Sequence, residues 1–103
     1  MTTDTDTNVV VDSSVKVVMK VPKMFNVVLF NDNSTTVEFV ILILTRIFYK
    51  SFEEAQEITL FIHNNGSGVA GTYSHEVATQ KRNETIKIAR ANNFPLRCEI
   101  DEA

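Results

Sequence analysis

Residues 30–40, FNDNSTTVEFV, join a short apolar segment to a long one through a cluster of small polar side chains. The segment that ends there, Phe25–Phe30, is rich in β-branched and aromatic residues, so it is predicted to be a β-strand that stops at the Asn-Asp-Asn turn signal. Thr35 and Glu38 have the spacing of a capping box, in which a threonine hydroxyl caps a helix and a glutamate three residues later reaches back. The stretch therefore predicts a strand, a polar turn and a helix that starts at Thr35.

The predicted helix after this turn is apolar on more than one face. At helical spacing its apolar stripe consists of Val37, Val40, Ile41, Leu44, Ile47 and Phe48. Phe39, Leu42 and Ile43 are apolar as well, so this helix must be covered on more than one side. The longest unbroken apolar run, residues 39–44, is far shorter than the ~20 residues that a membrane span needs.

The rest of the chain carries clear start and stop signals. A second capping box, Ser51 with Glu54, predicts another helix that ends near Asn64–Gly66, where asparagine and glycine tolerate the left-handed conformation. The remaining expected elements are a strand over 66–73, a helix capped by Ser74 that runs to about Ala91, and a last strand over 96–100. The predicted order is β-α-α-β-α-β, which indicates an α+β fold with a three-stranded antiparallel sheet covered by three helices.

The length and composition suit one domain. The predicted domain covers residues 24–103, and residues 1–23 are expected to form a flexible tail, because the first eight residues have no core-forming pattern. A short strand around residues 15–21 is possible, since apolar and lysine residues alternate there. The formal net charge of −3 and the lack of a basic patch argue against a nucleic-acid partner. The opening MTTDTDTN is unlike a secretory signal, so a cytoplasmic location is expected.

The sequence offers little support for catalysis or for a metal or other cofactor. Cys98 lies in the middle of a predicted strand and points inward by alternation, which is typical of a small core residue. His63 and His75 lack the ligand spacings of a zinc site. By position alone, His63 is most simply a favourable charge at the end of a helix. We therefore expect no catalytic residue, no metal and no cofactor.

From Met24 to Ala103 the chain resembles ClpS, the adaptor family of the bacterial N-degron pathway. The similar segments are VVLFNDNSTTVEFV at 27–40, the spacing from His63 to two later glycines, EVA at 76–78 and FPLRC at 94–98. The resemblance implies the ClpS fold and a protein without enzymatic activity. It also implies an adaptor that binds polypeptides beginning with a bulky hydrophobic residue and delivers them to a ClpAP-type unfoldase-protease.

The resemblance assigns roles to three sets of residues. The positions that hold the free α-amino group correspond to Asn31, Asp32 and His63. The positions that line the side-chain pocket correspond to Thr35, Val37, Val40, Thr59, Ile62 and Leu96. The surface positions used against the N-terminal domain of a ClpA-type or ClpC-type unfoldase correspond to Glu76 and Lys81. The N-terminal tail corresponds to the segment that engages the unfoldase during delivery.

Elementary chemistry agrees with this assignment. An α-ammonium group has three hydrogen-bond donors and one positive charge, so it suits a site with two or three acceptors, one of them a carboxylate. A carboxylate about 4 Å away contributes roughly 4 kcal/mol at an effective dielectric constant near 20, before desolvation is subtracted. Burial of a leucine or phenylalanine side chain adds about 1.5–3 kcal/mol.

Three departures from the family pattern leave the specificity open. Many relatives have an aspartate in place of Asn33, and methionine often stands in place of Val37 and Thr59. The shorter side chains lead to the hypothesis that N-terminal isoleucine or valine is tolerated here. An alternative is a regulatory module that docks on the unfoldase but has lost or altered its cargo binding; an enzyme of unknown type and a ribosome-associated domain are more distant alternatives.

Overall fold

The computed structural model describes residues 21–103, so nearly all of the predicted tail and of the possible strand at residues 15–21 lies outside the described residues. In chain order the elements are β1 (Phe25–Phe30), α1 (Val37–Arg46), α2 (Phe52–Asn65), β2 (Ser67–Tyr73), α3 (His75–Ala91) and β3 (Arg97–Glu102). The predicted order β-α-α-β-α-β and the α+β class are confirmed. Within residues 21–103, no helix has the length and hydropathy that crossing a membrane requires.

The sheet has the strand order β2-β1-β3, and both neighbouring pairs are antiparallel. The central strand β1 contributes Val27 and Leu29, which are both 0% exposed, to the core. The carboxyl end of β1 lies between the other two strands, since Phe30 faces Ser67 on one side and Arg97 on the other. The turn after Phe30 is therefore held next to the start of both outer strands.

Helix α1 begins one position later than the capping box predicts. Its N-cap is Thr36, whose hydroxyl accepts a hydrogen bond from the backbone N–H of Phe39 at 3.1 Å. The prediction that Thr35 caps this helix is wrong, because the Thr35 hydroxyl donates instead to the carboxylate of Asp32 at 2.7 Å. A competing acceptor in the preceding turn thus takes the side chain that the local pattern assigned to the helix.

The buried face of α1 also differs from the predicted stripe. The buried side chains of this region are Phe39, Val40, Ile43, Leu44, Ile47 and Phe48. Val37 belonged to the predicted stripe, but it is 56% exposed, because the first turn of α1 borders an open cavity instead of the core. Phe39 is buried in its place, where its ring packs against that of Phe94 at a centroid distance of 4.7 Å.

Helix α2 has the predicted signals at both ends. The Ser51 hydroxyl accepts from the N–H of Glu54 at 3.1 Å, and the Glu54 carboxylate accepts from the N–H of Ser51 at 3.2 Å, which completes the capping box. The helix stops at Gly66, whose φ of 90° lies in the left-handed region that glycine adopts without steric cost. A Cβ atom at Gly68 would approach Ile62 Cγ1 to 2.8 Å, so glycine is required there for β2 to pack against α2.

Helix α3 packs on the sheet through small side chains. Ser74 caps the helix as predicted, and Ala78 and Ala89 are both 0% exposed. The last strand carries the inward Cys98, and burial raises the pKa of its thiol to about 12. Cys98 is 4% exposed, so it is the small core residue that its position in the strand predicts, and the raised pKa disfavours the reactive thiolate form.

Candidate functional site

One cavity opens where the end of β1, the start of α1, the end of α2 and the residue before β3 meet. Its volume is about 360 Å³, which includes the open solvent at its mouth. The residues that line it are Leu29, Phe30, Asn31, Asp32, Thr35, Val37, Val40, Thr59, Ile62, His63 and Leu96. The structure thus brings together all nine residues that the sequence assigned to amine binding and to the side-chain pocket.

The polar rim of this cavity is organised around Asp32. One carboxylate oxygen, Oδ1, accepts from the backbone N–H groups of Ser34 at 2.8 Å and Thr35 at 2.7 Å, and Oδ2 accepts from the Thr35 hydroxyl. Burial disfavours the charged carboxylate, but these hydrogen bonds and the positive charge of Arg90 outweigh that effect, so the pKa of Asp32 is lowered from its ordinary value of 3.8. Asp32 is therefore a fixed negative charge at neutral pH.

The rest of the rim is held in place by the stop of helix α2. The backbone N–H of Asn31 donates to the carbonyl of Gly66 at 2.9 Å, which ties the turn after β1 to the residue that ends α2. His63 lies in the last turn of α2, three residues before Gly66, and both His63 and Asn31 are exposed to solvent. A carboxylate, an amide and an imidazole therefore line the same opening.

The inner wall of the cavity is apolar. Val40 and Ile62 are buried, and Leu96 is only 1% exposed. Thr59 is buried too, but its hydroxyl donates to the carbonyl of Ala55 at 2.7 Å, so the wall has no unpaired hydroxyl at this point. The arrangement combines acceptors at an accessible rim with an apolar interior that can cover one side chain.

Sequence reasoning missed two features of this site. Leu29 and Phe30 line the cavity as well, and their position directly before Asn31 in β1 was the available signal. A second, wider groove adjoins the cavity, with a volume of about 600 Å³ including open solvent. It is lined by Val37, Ile41, Gln56, Thr59, Leu60 and His63. The helical spacing of Gln56, Leu60 and His63 along α2 was the signal for this groove.

The two residues predicted for the unfoldase interface lie away from the cavity. Glu76 is exposed in the first turn of α3. Lys81 is only half-exposed, because its ammonium group donates to the carbonyl of Ile47 at 2.7 Å and so caps the end of α1. The same ammonium lies 4.8 Å from the ring centre of Tyr49 and 5.2 Å from that of Tyr73. Lys81 therefore has a structural role within the domain that the sequence did not indicate.

The described part of the chain contains no obvious metal centre. Among residues 21–103, no group of three or more histidine, cysteine, aspartate or glutamate side chains lies close enough together to hold a metal ion.

Comparisons with known proteins agree with the fold. The family model of the ATP-dependent Clp protease adaptor protein ClpS matches residues 20–99. The ClpS protein of Lawsonia intracellularis is 52% identical over 79% of this chain and 74% of its own length. The ClpS protein of Myxococcus xanthus is 42% identical over 93% of this chain and 90% of its own length.

The solved structures include a similar protein, ClpS2 of Agrobacterium tumefaciens bound to L-phenylalaninamide. It superimposes with a TM-score of 0.77 at 28% identity and covers 80% of this chain and 99% of that one. The chain belongs to the ClpS family, the adaptor proteins of the ATP-dependent Clp protease.

Proposed function

We propose that this adaptor binds the free N-terminus of polypeptides whose first residue is bulky and hydrophobic, and delivers them to a ClpA-type or ClpC-type unfoldase for degradation. The observation that carries the proposal is the joining of a charged, acceptor-rich rim to an apolar interior in one cavity. L-phenylalaninamide, the molecule bound by the Agrobacterium relative, has a free amino group and an aromatic side chain, which are the two features that such a cavity would select.

The rim would recognise the α-ammonium group by its charge and its three donors. Oδ2 of Asp32 accepts one hydrogen bond within the protein, from Thr35, so it keeps a free lone pair for the ligand. The side-chain carbonyl of Asn31 and a ring nitrogen of His63 supply the other two acceptors. An acetylated or formylated N-terminus has lost the charge and two of the donors, so it would leave Asp32 desolvated and unpaired.

The apolar interior would select the first side chain. Val40, Ile62 and Leu96 form a buried wall, and among residues 21–103 no lysine, arginine or glutamate lines the cavity. A charged first side chain would have no partner there, whereas a leucine or phenylalanine side chain gains about 1.5–3 kcal/mol from burial. We also infer that isoleucine and valine are accepted, because Val37 and Thr59 are short side chains at the mouth and wall and leave room for a branch at Cβ.

Delivery would use surfaces outside the cavity. We assign the unfoldase contact to the first half of α3, where Glu76 is exposed and Lys81 presents the flank that is not packed on α1. The assignment rests on the adaptor family and on the separation of these residues from the cavity, which allows cargo and unfoldase to be held together. A cytoplasmic location, where Clp proteases and nascent N-termini meet, belongs to the same proposal.

A binding series over the first residue tests the proposal. Fluorescently labelled peptides that differ only in beginning with Leu, Phe, Ile, Val, Ala or Glu are titrated with the protein and followed by anisotropy. We expect micromolar to submicromolar dissociation constants for Leu and Phe, in the range that allows cargo to be released, and much weaker binding for Ala and Glu.

N-acetylated Leu and Phe peptides are the matched controls, since they keep the side chain and lose the charge. If the acetylated peptides bind as well as the free ones, recognition of the amine is wrong. If no peptide binds while an unfoldase N-terminal domain still does, the protein is instead a docking module without cargo.

A further inference from the structure

Arg90, in the last turn of α3, donates hydrogen bonds to the backbone of the loop that carries the cavity residue Leu96. Its guanidinium atom Nη1 donates to the carbonyl of Phe94 at 2.9 Å and to the carbonyl of Leu96 at 3.0 Å. These two carbonyls flank Pro95 in the loop between α3 and β3, and Leu96 is the cavity residue of that loop. One side chain therefore links the end of α3 to the backbone of Leu96.

Other contacts also hold the loop that carries Leu96. The backbone N–H groups of Asn93 and Phe94 donate to the carbonyls of Arg90 at 3.1 Å and Ala89 at 2.9 Å. The ring of Phe94 packs on Phe39 of α1, which holds one side of the loop against the core. Asn93, at the start of the loop, has a φ of 62°, so the chain turns sharply there and does not continue the helix. The hydrogen bonds from Arg90 are the charge-assisted part of this attachment and extend it to Leu96, and without them both carbonyls lose their charged donor.

Arg90 also faces the rim of the cavity. It lines one surface depression together with Ser34 from the turn after β1 and with residues 93–95 from the loop. The N–H of Ser34 is one of the donors to Asp32. The pKa of Asp32 is consistent with a positive charge near the rim. Burial raises this pKa, the hydrogen bonds from Thr35 and Ser34 lower it, and the positive charge of Arg90 lowers it further.

We propose that Arg90 is a positioning residue for ligand binding, which holds the Leu96 wall of the cavity through its hydrogen bonds to the loop and places a positive charge beside the rim. This proposal rests on the proposed function for its meaning, since it states which residue positions one wall of the ligand site. Arg90 itself does not line the cavity, so it acts through Leu96 and Asp32 and does not contact the ligand.

Two variants separate the effect of the hydrogen bonds to the loop from the effect of the positive charge beside the rim. Arg90→Met keeps an apolar stem and removes the charge and all donors, whereas Arg90→Lys keeps the charge on a shorter stem that ends in an ammonium group instead of a planar guanidinium. For Arg90→Met we expect about tenfold weaker binding of a Leu-initiated peptide and a much smaller loss for an Ala-initiated one, because only the longer side chain reaches the displaced wall. Arg90→Lys should give an intermediate Leu-to-Ala affinity ratio, reduced from that of the wild type, because its ammonium group does not occupy the position from which Nη1 reaches both carbonyls.

A second measurement needs no peptide. The carboxyl carbon of Asp32 is followed by NMR during an acid titration of the wild type and both variants, with circular dichroism melts to establish that each is folded. Charged or titratable groups on the elements around Asp32 also include Glu38 of α1, His63 of α2 and Arg97 of β3. They are common to all three proteins. We expect the Asp32 pKa to rise in Arg90→Met and to stay at the wild-type value in Arg90→Lys.

The outcomes are distinguishable from a failure of the proposed function. If the wild type binds no peptide, the proposed function is wrong, while the Asp32 titration still reports whether Arg90 reaches the rim. If Arg90→Met is folded and leaves both the Leu-to-Ala affinity ratio and the Asp32 titration unchanged, the positioning role is overturned. If Arg90→Met does not fold, Arg90→Lys decides, because a wild-type Asp32 pKa with a reduced Leu-to-Ala ratio supports the proposal and an unchanged ratio contradicts it.

Discussion

Replacing Asp32 with asparagine removes one negative charge from the rim of the cavity while leaving the local turn intact. The amide oxygen can accept the same two hydrogen bonds that Oδ1 now receives from the N–H groups of Ser34 and Thr35, at 2.8 and 2.7 Å. The Thr35 hydroxyl, which now donates to Oδ2, can rotate and accept from the amide nitrogen. The variant should therefore fold, and its defect should be confined to charge.

The size of the defect follows from the position of the carboxylate. An ammonium group about 4 Å from Asp32 gains roughly 4 kcal/mol at an effective dielectric constant of 20. Asp32 is half-buried and the rim is open, so solvent and salt screen a substantial part of this energy. We expect a net loss of about 2 kcal/mol, which corresponds to roughly thirtyfold weaker binding of a peptide with a free N-terminal leucine.

The assay is an anisotropy titration of a labelled Leu-initiated peptide at neutral pH and at two salt concentrations, since the charge-dependent part should shrink as salt increases. Glu38→Gln is the matched control, because it removes the same charge from the first turn of α1 at a side chain that does not line the cavity. A folded Asp32→Asn variant that binds within twofold of both the wild type and Glu38→Gln would refute the charge-based account of amine recognition.

Three further predictions concern specificity, stability and pH. Replacing both Val37 and Thr59 with methionine should weaken binding of Ile-initiated peptides at least tenfold relative to Leu-initiated ones, because overpacking costs about 1–3 kcal/mol. An equal loss of affinity for both peptides in the anisotropy assay would contradict the proposed pocket shape. Thr85→Val should raise the melting temperature by about 4–8 °C, because the Thr85 hydroxyl is buried without a hydrogen-bond partner among the described residues. A lower melting temperature of the variant in calorimetry would show that the hydroxyl does have a hydrogen-bond partner. The folded pKa of Asp32 lies below its unfolded value, so its contribution to the free energy of unfolding is fully present above pH 3.8 and is lost as the pH falls through the folded pKa. Urea titrations should therefore show that the free energy of unfolding falls less steeply with acid in Asp32→Asn than in the wild type, and parallel curves for both proteins would exclude this contribution.

The order of the elements could be predicted from the sequence because the signals involved are local. A capping box such as Ser51 with Glu54 joins groups three residues apart, and a glycine such as Gly66 ends a helix through its own backbone freedom. The resemblance to a known family supplied the nine residues of the cavity, whose spacing along the chain alone does not show that they meet. The local signals failed where a side chain had a second partner, as Thr35 does with Asp32.

The tertiary structure alone decided which side chains are free to meet a ligand or a partner. Lys81 has the spacing of a surface residue on α3, yet its ammonium group caps α1 from 34 positions away in the chain. Arg90 likewise has the position of a simple helix-end charge, and only the fold places it against the carbonyl of Leu96 and beside Ser34. The sequence records propensities over a turn or two of backbone, whereas these contacts depend on how α3 crosses the sheet, which is determined by packing of the whole core.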